Sequence, residues 1–152
     1  IGYRNMMKPE GDLSTLFHSD VASWHGMMTS VVAAGNGSLS NGFYRGIAPE
    51  ANVVLVKLAR TGRITEQNIQ DGLEWVLANR TKYNIRVINI SAGGDFEQSY
   101  LHDSLSQTVE ECVSLGLTIV CAVGNAGHLP THPVFPPASA PSRSVPVVRQ
   151  RA

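Results

Sequence analysis

Ile119-Val120-Cys121-Ala122-Val123-Gly124-Asn125-Ala126-Gly127 is an apolar run that stops on a Gly-Asn-Ala-Gly loop. An apolar run of this length bounded by glycines reads as a buried parallel strand, and the loop at the carboxyl end of such a strand is where open α/β sheets place their chemistry. Asn125 therefore stands where a side-chain amide can donate to a ligand. Read alone, an asparagine between glycines is also an ordinary turn residue that tolerates left-handed backbone.

Working outward, Leu101, Leu105, Val109, Cys112, Val113 and Leu115 keep helical spacing and stop at Gly116, just before the opening strand. Val87-Ile88-Asn89-Ile90 is the strand before that helix, ending on Ser91-Ala92-Gly93-Gly94. Further upstream, Thr65 as N-cap with Glu66 and Gln67 in the first turn starts a helix through Ile69, Leu73, Trp75, Val76 and Leu77. Val53 to Leu58 is a β-branched run that reads as an interior strand, broken by Thr61-Gly62-Arg63. Strand, helix, strand, helix, strand predicts right-handed crossovers and a three-layer, doubly wound, mostly parallel α/β sheet with helices on both faces.

At the ends of the chain the pattern changes. Residues 1–22 are polar with little periodicity and read as an irregular segment without a core, whereas residues 23–152 read as one domain. From Ser23 onward, Met27, Met28, Val31, Val32 and Ala34 give a helix that is apolar nearly all round, hence buried, with a glycine stop at Gly35-Asn36-Gly37. After Gly127 the chain is proline-rich from Pro130 to Pro146, with a short strand from Val145 to Val148.

The 152 residues suffice for one domain with a core, and 43% hydrophobic content is ordinary for a globular protein. Twelve basic residues balance twelve acidic ones, so no net field draws nucleic acid or anionic lipid. No stretch approaches the roughly 20 apolar residues of a membrane span. Cys112 and Cys121 lack metal-site spacing and read as buried thiols, with a disulfide left open. The first residue is Ile1, so the chain is expected to begin inside a longer product or after processing.

His25 stands at the start of the small-residue helix and has two readings. It is either a polar helix-start residue, or an imidazole kept approachable by Gly26. Spacing alone leaves both open.

Several strings taken together in order decide more. His25-Gly26 before a small-residue helix, Gly46-Ile47-Ala48-Pro49-Glu50-Ala51 before Val56-Lys57-Leu58, Gly72-Leu73-Glu74-Trp75, Val87 to Gly94, and Ala122 to Gly127 follow one another. This succession resembles the subtilisin-like serine peptidases from about His25 to Val148, and Phe135-Pro136-Pro137-Ala138 resembles the family's lead into its next strand. The resemblance implies a partial subtilisin-like fold and a serine endopeptidase acting through a Ser-His-Asp triad. It makes His25 the general base and Asn125 the oxyanion-hole donor. Ser91, Ala92 and Gly93 would form one wall of the primary specificity pocket, and Ala122, Val123 and Gly124 the other. Peptide or protein substrates, a monomeric intact parent and a secreted or extracytoplasmic setting are further implications, with no nucleic acid or membrane partner.

The chain also departs from the family pattern. The family's His-Gly-Thr-His is here His25-Gly26-Met27-Met28, and no Asp-Ser-Gly or Asp-Thr-Gly string supplies the orienting acid. Asp12 and Asp20 are the only upstream candidates, and neither follows an apolar strand. The Gly-Thr-Ser-Met-Ala string of the nucleophile is missing, and Ser139, Ser142 and Ser144 read as loop serines among prolines. The expectation is the central part of a peptidase domain, truncated at both ends, inactive by itself. A non-catalytic peptide-binding relative is the competing reading, and a phosphate-binding doubly wound domain is a third, weakened by the lack of any GxGxxG or Walker pattern. No cofactor is expected. The family's structural calcium would fall on Asn36 to Tyr44, which offers Asn36, Ser38, Ser40 and Asn41 but no carboxylate.

Overall fold

A computed structural model describes residues 2–7, 13–17, 21–59, 63–93, 99–125, 134–142 and 147–148. The chain forms two compact units, Ile1–Arg63 and Ile64–Ala152.

In the first unit, strand β1 (Gly2–Asn5) pairs in parallel with β2 (Val54–Lys57), Gly2 opposite Val54 and Asn5 opposite Lys57. The sequence reading has only irregular chain where β1 lies. Gly-Tyr-Arg-Asn carries no apolar alternation, so the strand is defined by the β-branched partner it hydrogen-bonds and not by its own letters. A polar knot closes its carboxyl end. Buried Asn5 accepts from the Met7 N–H at 3.0 Å and donates to Thr15 Oγ1 at 3.3 Å, and the Tyr3 hydroxyl lies 2.7 Å from the same oxygen. Thr15 belongs to a short 3-10 turn, Leu13–Phe17.

Helix α1 spans Val21–Ala34. Its expected burial is not found: Trp24, Met27, Met28, Val31 and Val32 are all exposed, Trp24 at 65%. An all-round apolar composition states a demand for burial, and among the described residues of the first unit no element meets it on that face. The carbonyls of the last turn, by contrast, are well answered. Gly46, Ile47 and Ala48 donate their N–H groups to Gly35, Val32 and Ala33 at 2.8, 3.2 and 2.9 Å, so a later segment caps the helix. Gly46 has to be glycine for this, because a Cβ there would sit 2.6 Å from the Val31 carbonyl oxygen.

The second unit follows the sequence reading more closely. Helix α2 (Glu66–Tyr83) opens on a capping box in which Thr65 Oγ1 accepts from the Asn68 N–H and Asn68 Oδ1 accepts from the Thr65 N–H, both at 3.2 Å. Asn84, left-handed at φ 49°, ends it. Strands β3 (Val87–Ile90), β4 (Thr118–Ala122) and β5 (Val147–Val148) form a parallel sheet in the order β3-β4-β5, with Ile90 opposite Cys121 and Cys121 opposite Val147.

Between β3 and β4, helix α3 (Ser104–Ser114) starts at buried Asp103, whose Oδ2 accepts from the Ser106 N–H at 2.6 Å. Leu101, counted as helical from spacing, lies before this cap and is exposed. Helices α2 and α3 pack on each other and α3 packs on β4. Ile69, Leu105, Val109, Cys112, Ile119 and Cys121 are fully buried, each large aliphatic side chain contributing about 1.5–3 kcal/mol relative to exposure. A turn at Pro136–Ser139 docks on α3. Its Pro136 and Pro137 are fully buried, Ser139 Oγ lies 3.4 Å from Ser106 Oγ, and Glu110 Oε1 accepts from the Ser142 N–H at 2.8 Å.

Candidate functional site

Alternation along β3 sends Ile88 and Ile90 into the core and leaves Val87 and Asn89 on the other face. Ser91 follows on Asn89's side, and the two side chains meet: Asn89 Nδ2 donates to Ser91 Oγ at 2.9 Å. On β4, Val120 and Ala122 share the open face while Ile119 and Cys121 are buried. Beyond Ala122 the chain passes through buried Val123 and turns at Gly124, whose φ of +82° is left-handed and suited to glycine. The turn delivers Asn125 to the carboxyl end of the sheet.

These residues converge. Asn89, Ser91, Val120, Cys121, Ala122, Gly124 and Asn125 line one pocket of about 240 Å³. Of the expected substrate-wall residues, Ser91, Ala122 and Gly124 are in its lining together with Asn125. Ala92, Gly93 and Val123 are not. Val123 packs into the core, and Gly93 lies against the docked proline turn, an added Cβ standing 3.5 Å from the Pro136 carbonyl oxygen. Asn89 was legible in principle, since the Ile-Asn-Ile alternation puts it on the face of Ser91, but the sequence reading treats it only as part of a strand.

His25 lies in the first unit, exposed, one turn inside α1 and not at its start. The helix begins at Val21, two residues ahead of the Ser23 start expected from the sequence. Among the described residues outside the helix's own backbone and the two chain neighbours, nothing lies within 4 Å of where a Gly26 Cβ would be. The Thr29 and Ser30 hydroxyls turn back to the Gly26 carbonyl at 3.1 and 2.7 Å, which keeps this helix face small. Asp12, Asp20 and Ser144 lie outside the described residues. Ser139 and Ser142 belong to the docked proline segment.

In the Asn36–Tyr44 loop, oxygen atoms are turned inward on the loop's own donors. Asn36 Oδ1 accepts from the Ser38 N–H at 3.0 Å, and the Gly37 carbonyl accepts from the N–H groups of Ser40 and Gly42 and from Ser40 Oγ. Among the described residues, no group of three or more His, Cys, Asp or Glu side chains is placed to hold a metal, and no helix is long and apolar enough to cross a membrane. The two cysteines are free thiols. Burial pushes Cys121 up to about 12, and burial with the nearby negative charge of Glu111 pushes Cys112 up to about 11, so neither is a ready nucleophile.

The subtilase family model matches residues 6–147. The chain belongs to the subtilase family. It is 38% identical over 114 residues to serine protease AprX of Bacillus subtilis, which covers 68% of this subtilase chain and 25% of AprX. To subtilisin E of the same organism it is 35% identical over 123 residues, covering 79% and 29% of the respective chains. It thus spans between a quarter and a third of the length of these relatives. Among solved structures, the prenylagaramide maturation protease PagA superposes with a TM-score of 0.63 over 96% of this chain and 45% of its own, at 16% identity, a likeness of fold. The parallel strands and packed helices are accordingly a partial subtilisin-like α/β fold.

Proposed function

We propose that this subtilase chain supplies the base and the oxyanion donor of a serine endopeptidase. The observation that carries the reading is the convergence of Ser91, Ala122, Gly124 and Asn125 on one pocket at the carboxyl ends of two parallel strands. In this reading His25 removes the proton from a serine hydroxyl as it attacks a peptide carbonyl, then returns it to the leaving amine. The Asn125 amide donates to the carbonyl oxygen as it becomes negative. Ser91 flanks the substrate on one side, and Ala122 and Gly124 on the other. An extended peptide beside the end of a strand is held largely through main chain, and small residues there let it approach. The nucleophile and the acid that orients His25 are assigned to no residue of this sequence.

The test uses the longest natural protein containing this sequence and an unstructured protein substrate. Hydrolysis that is lost in His25→Ala, with the variant still folded by circular dichroism, is the expected result. Hydrolysis at an unchanged rate in His25→Ala would overturn the assignment. The departure at Met27-Met28 favours a second reading, a peptide-binding relative without catalysis. Under it the unsubstituted protein binds peptide and cleaves none. The 152-residue chain made alone should hydrolyse nothing and resist a serine-directed fluorophosphonate, because a base without its nucleophile forms no acyl-enzyme. Stoichiometric labelling of a single serine would contradict this.

A further inference from the structure

Lys57 ends β2, and its ammonium donates to Ser23 Oγ over 2.6 Å, a contact across 34 residues of sequence. Ser23 lies in the first turn of α1, two residues before His25. We propose that Lys57 is a positioning residue that sets the place of His25 by tethering this turn, an inference that rests on the role of His25 given above.

Helix α1 is held mainly at its two ends. Its apolar side chains are largely exposed, so within the first unit burial contributes little to fixing the helix. Directional bonds have to do more of that work. At the carboxyl end, the N–H groups of Gly46, Ile47 and Ala48 bond to its last carbonyls. At the amino end, Lys57 bonds to Ser23. Both tethers run to the same stretch of chain, since residues 46–48 lead into β2 and Lys57 is its last residue. The helix is therefore pinned at its carboxyl end by residues 46–48 and at its amino end by the last residue of β2, and an imidazole one turn in moves with the amino-terminal pin.

The lysine's charge sign supports a positional role. The amino end of a helix carries the positive end of its dipole, where a cation is disfavoured by some tenths of a kcal/mol. An ammonium at that end is consequently poor as a dipole partner and useful as a donor of a short, charge-assisted bond. Lys57 is also half-buried with its strand, which limits the places its head can reach.

The test is a double-mutant cycle in the peptidase that contains this sequence, with Lys57→Met, Ser23→Ala and both together. Each single change should lower kcat by about tenfold to a hundredfold, the scale expected when a catalytic group is displaced by about 1 Å, with KM little changed. The double variant should be no slower than the worse single one, and Ser23→Thr, which keeps the hydroxyl, should retain most of the rate. Hydrogen exchange at residues 23–28 should quicken in Lys57→Met while residues 31–35 stay protected. Additive losses in the cycle, or unchanged exchange at residues 23–28, would overturn the tether. If the unsubstituted protein cleaves nothing, the catalytic reading fails instead, and the exchange experiment still decides the tether by itself.

Discussion

Asn89 and Ser91 face the same side of β3 and are joined by a 2.9 Å hydrogen bond from the amide to the hydroxyl, so one wall of the pocket is a linked pair. Asn89 is exposed, and losing this bond should cost the fold no more than about 1 kcal/mol. Asn89→Leu should instead act on substrate, raising KM severalfold by removing the amide's hold on the Ser91 hydroxyl while kcat changes less. Steady-state kinetics beside a urea midpoint checks this. A large fall in stability with normal KM would make the pair structural.

Asn125 tests the oxyanion role. Replacement by leucine keeps approximate size and removes the donor, so kcat should fall while KM barely moves, because the bond strengthens only in the transition state. The expected loss is about a hundred- to a thousandfold, a magnitude carried over from a member of this same family and not a product of the present geometry. Rate per titrated active site measures it. Near-normal turnover in Asn125→Leu would leave this residue a turn former.

Asp103 caps α3 from a buried position, accepting at 2.6 Å from Ser106. Asp103→Ala should destabilise the second unit by about 1–2 kcal/mol, whereas Asp103→Asn keeps an acceptor and should cost a few tenths. Denaturant midpoints of the two variants give the comparison. Equal losses would mean that the carboxylate charge, and not the cap, is what matters.

The two core thiols give the second unit a pH dependence of known sign. An unfolded thiol ionises near its ordinary 9.0, whereas Cys112 and Cys121 in the folded chain hold their protons up to about 11 and about 12. Their contribution is thus fully present below about pH 9 and is lost as pH rises toward the folded values, because the unfolded state binds fewer protons there. Urea midpoints should fall as pH rises from about 9 toward about 11. A Cys112→Ala, Cys121→Val variant should show a shallower fall, and an identical slope would remove the thiols as its source.

Sequence pattern spoke clearly where an element's own letters carry its burial. Val87–Ile90, the Thr65 cap and the buried positions of α3 follow from period and capping chemistry alone. It was silent on β1, because Gly2–Asn5 becomes a strand through Val54–Lys57. On α1 the apolar letters mark the helix but not its burial, since composition does not name the element that would cover Trp24 or Val32. At the site, Asn125 and Ser91 could be found from loops ending strands. Asn89 follows only from the alternation that puts it on the face of Ser91, and Lys57 from no local pattern, as it works through Ser23, 34 residues away in sequence.

The hydrogen bond between Gly46 and the Gly35 carbonyl closes the intervening ten residues into a loop whose two feet are locked together. With Gly37, Asn41 and Gly42 in left-handed backbone and Phe43 and Tyr44 exposed above, the tip rests on its own bonds. Such a closed excursion can change length without changing the distance between its feet. The chain therefore has a natural place for an inserted tag or recognition sequence between residues 38 and 44, where added length would project outward and leave both α1 and β2 in register.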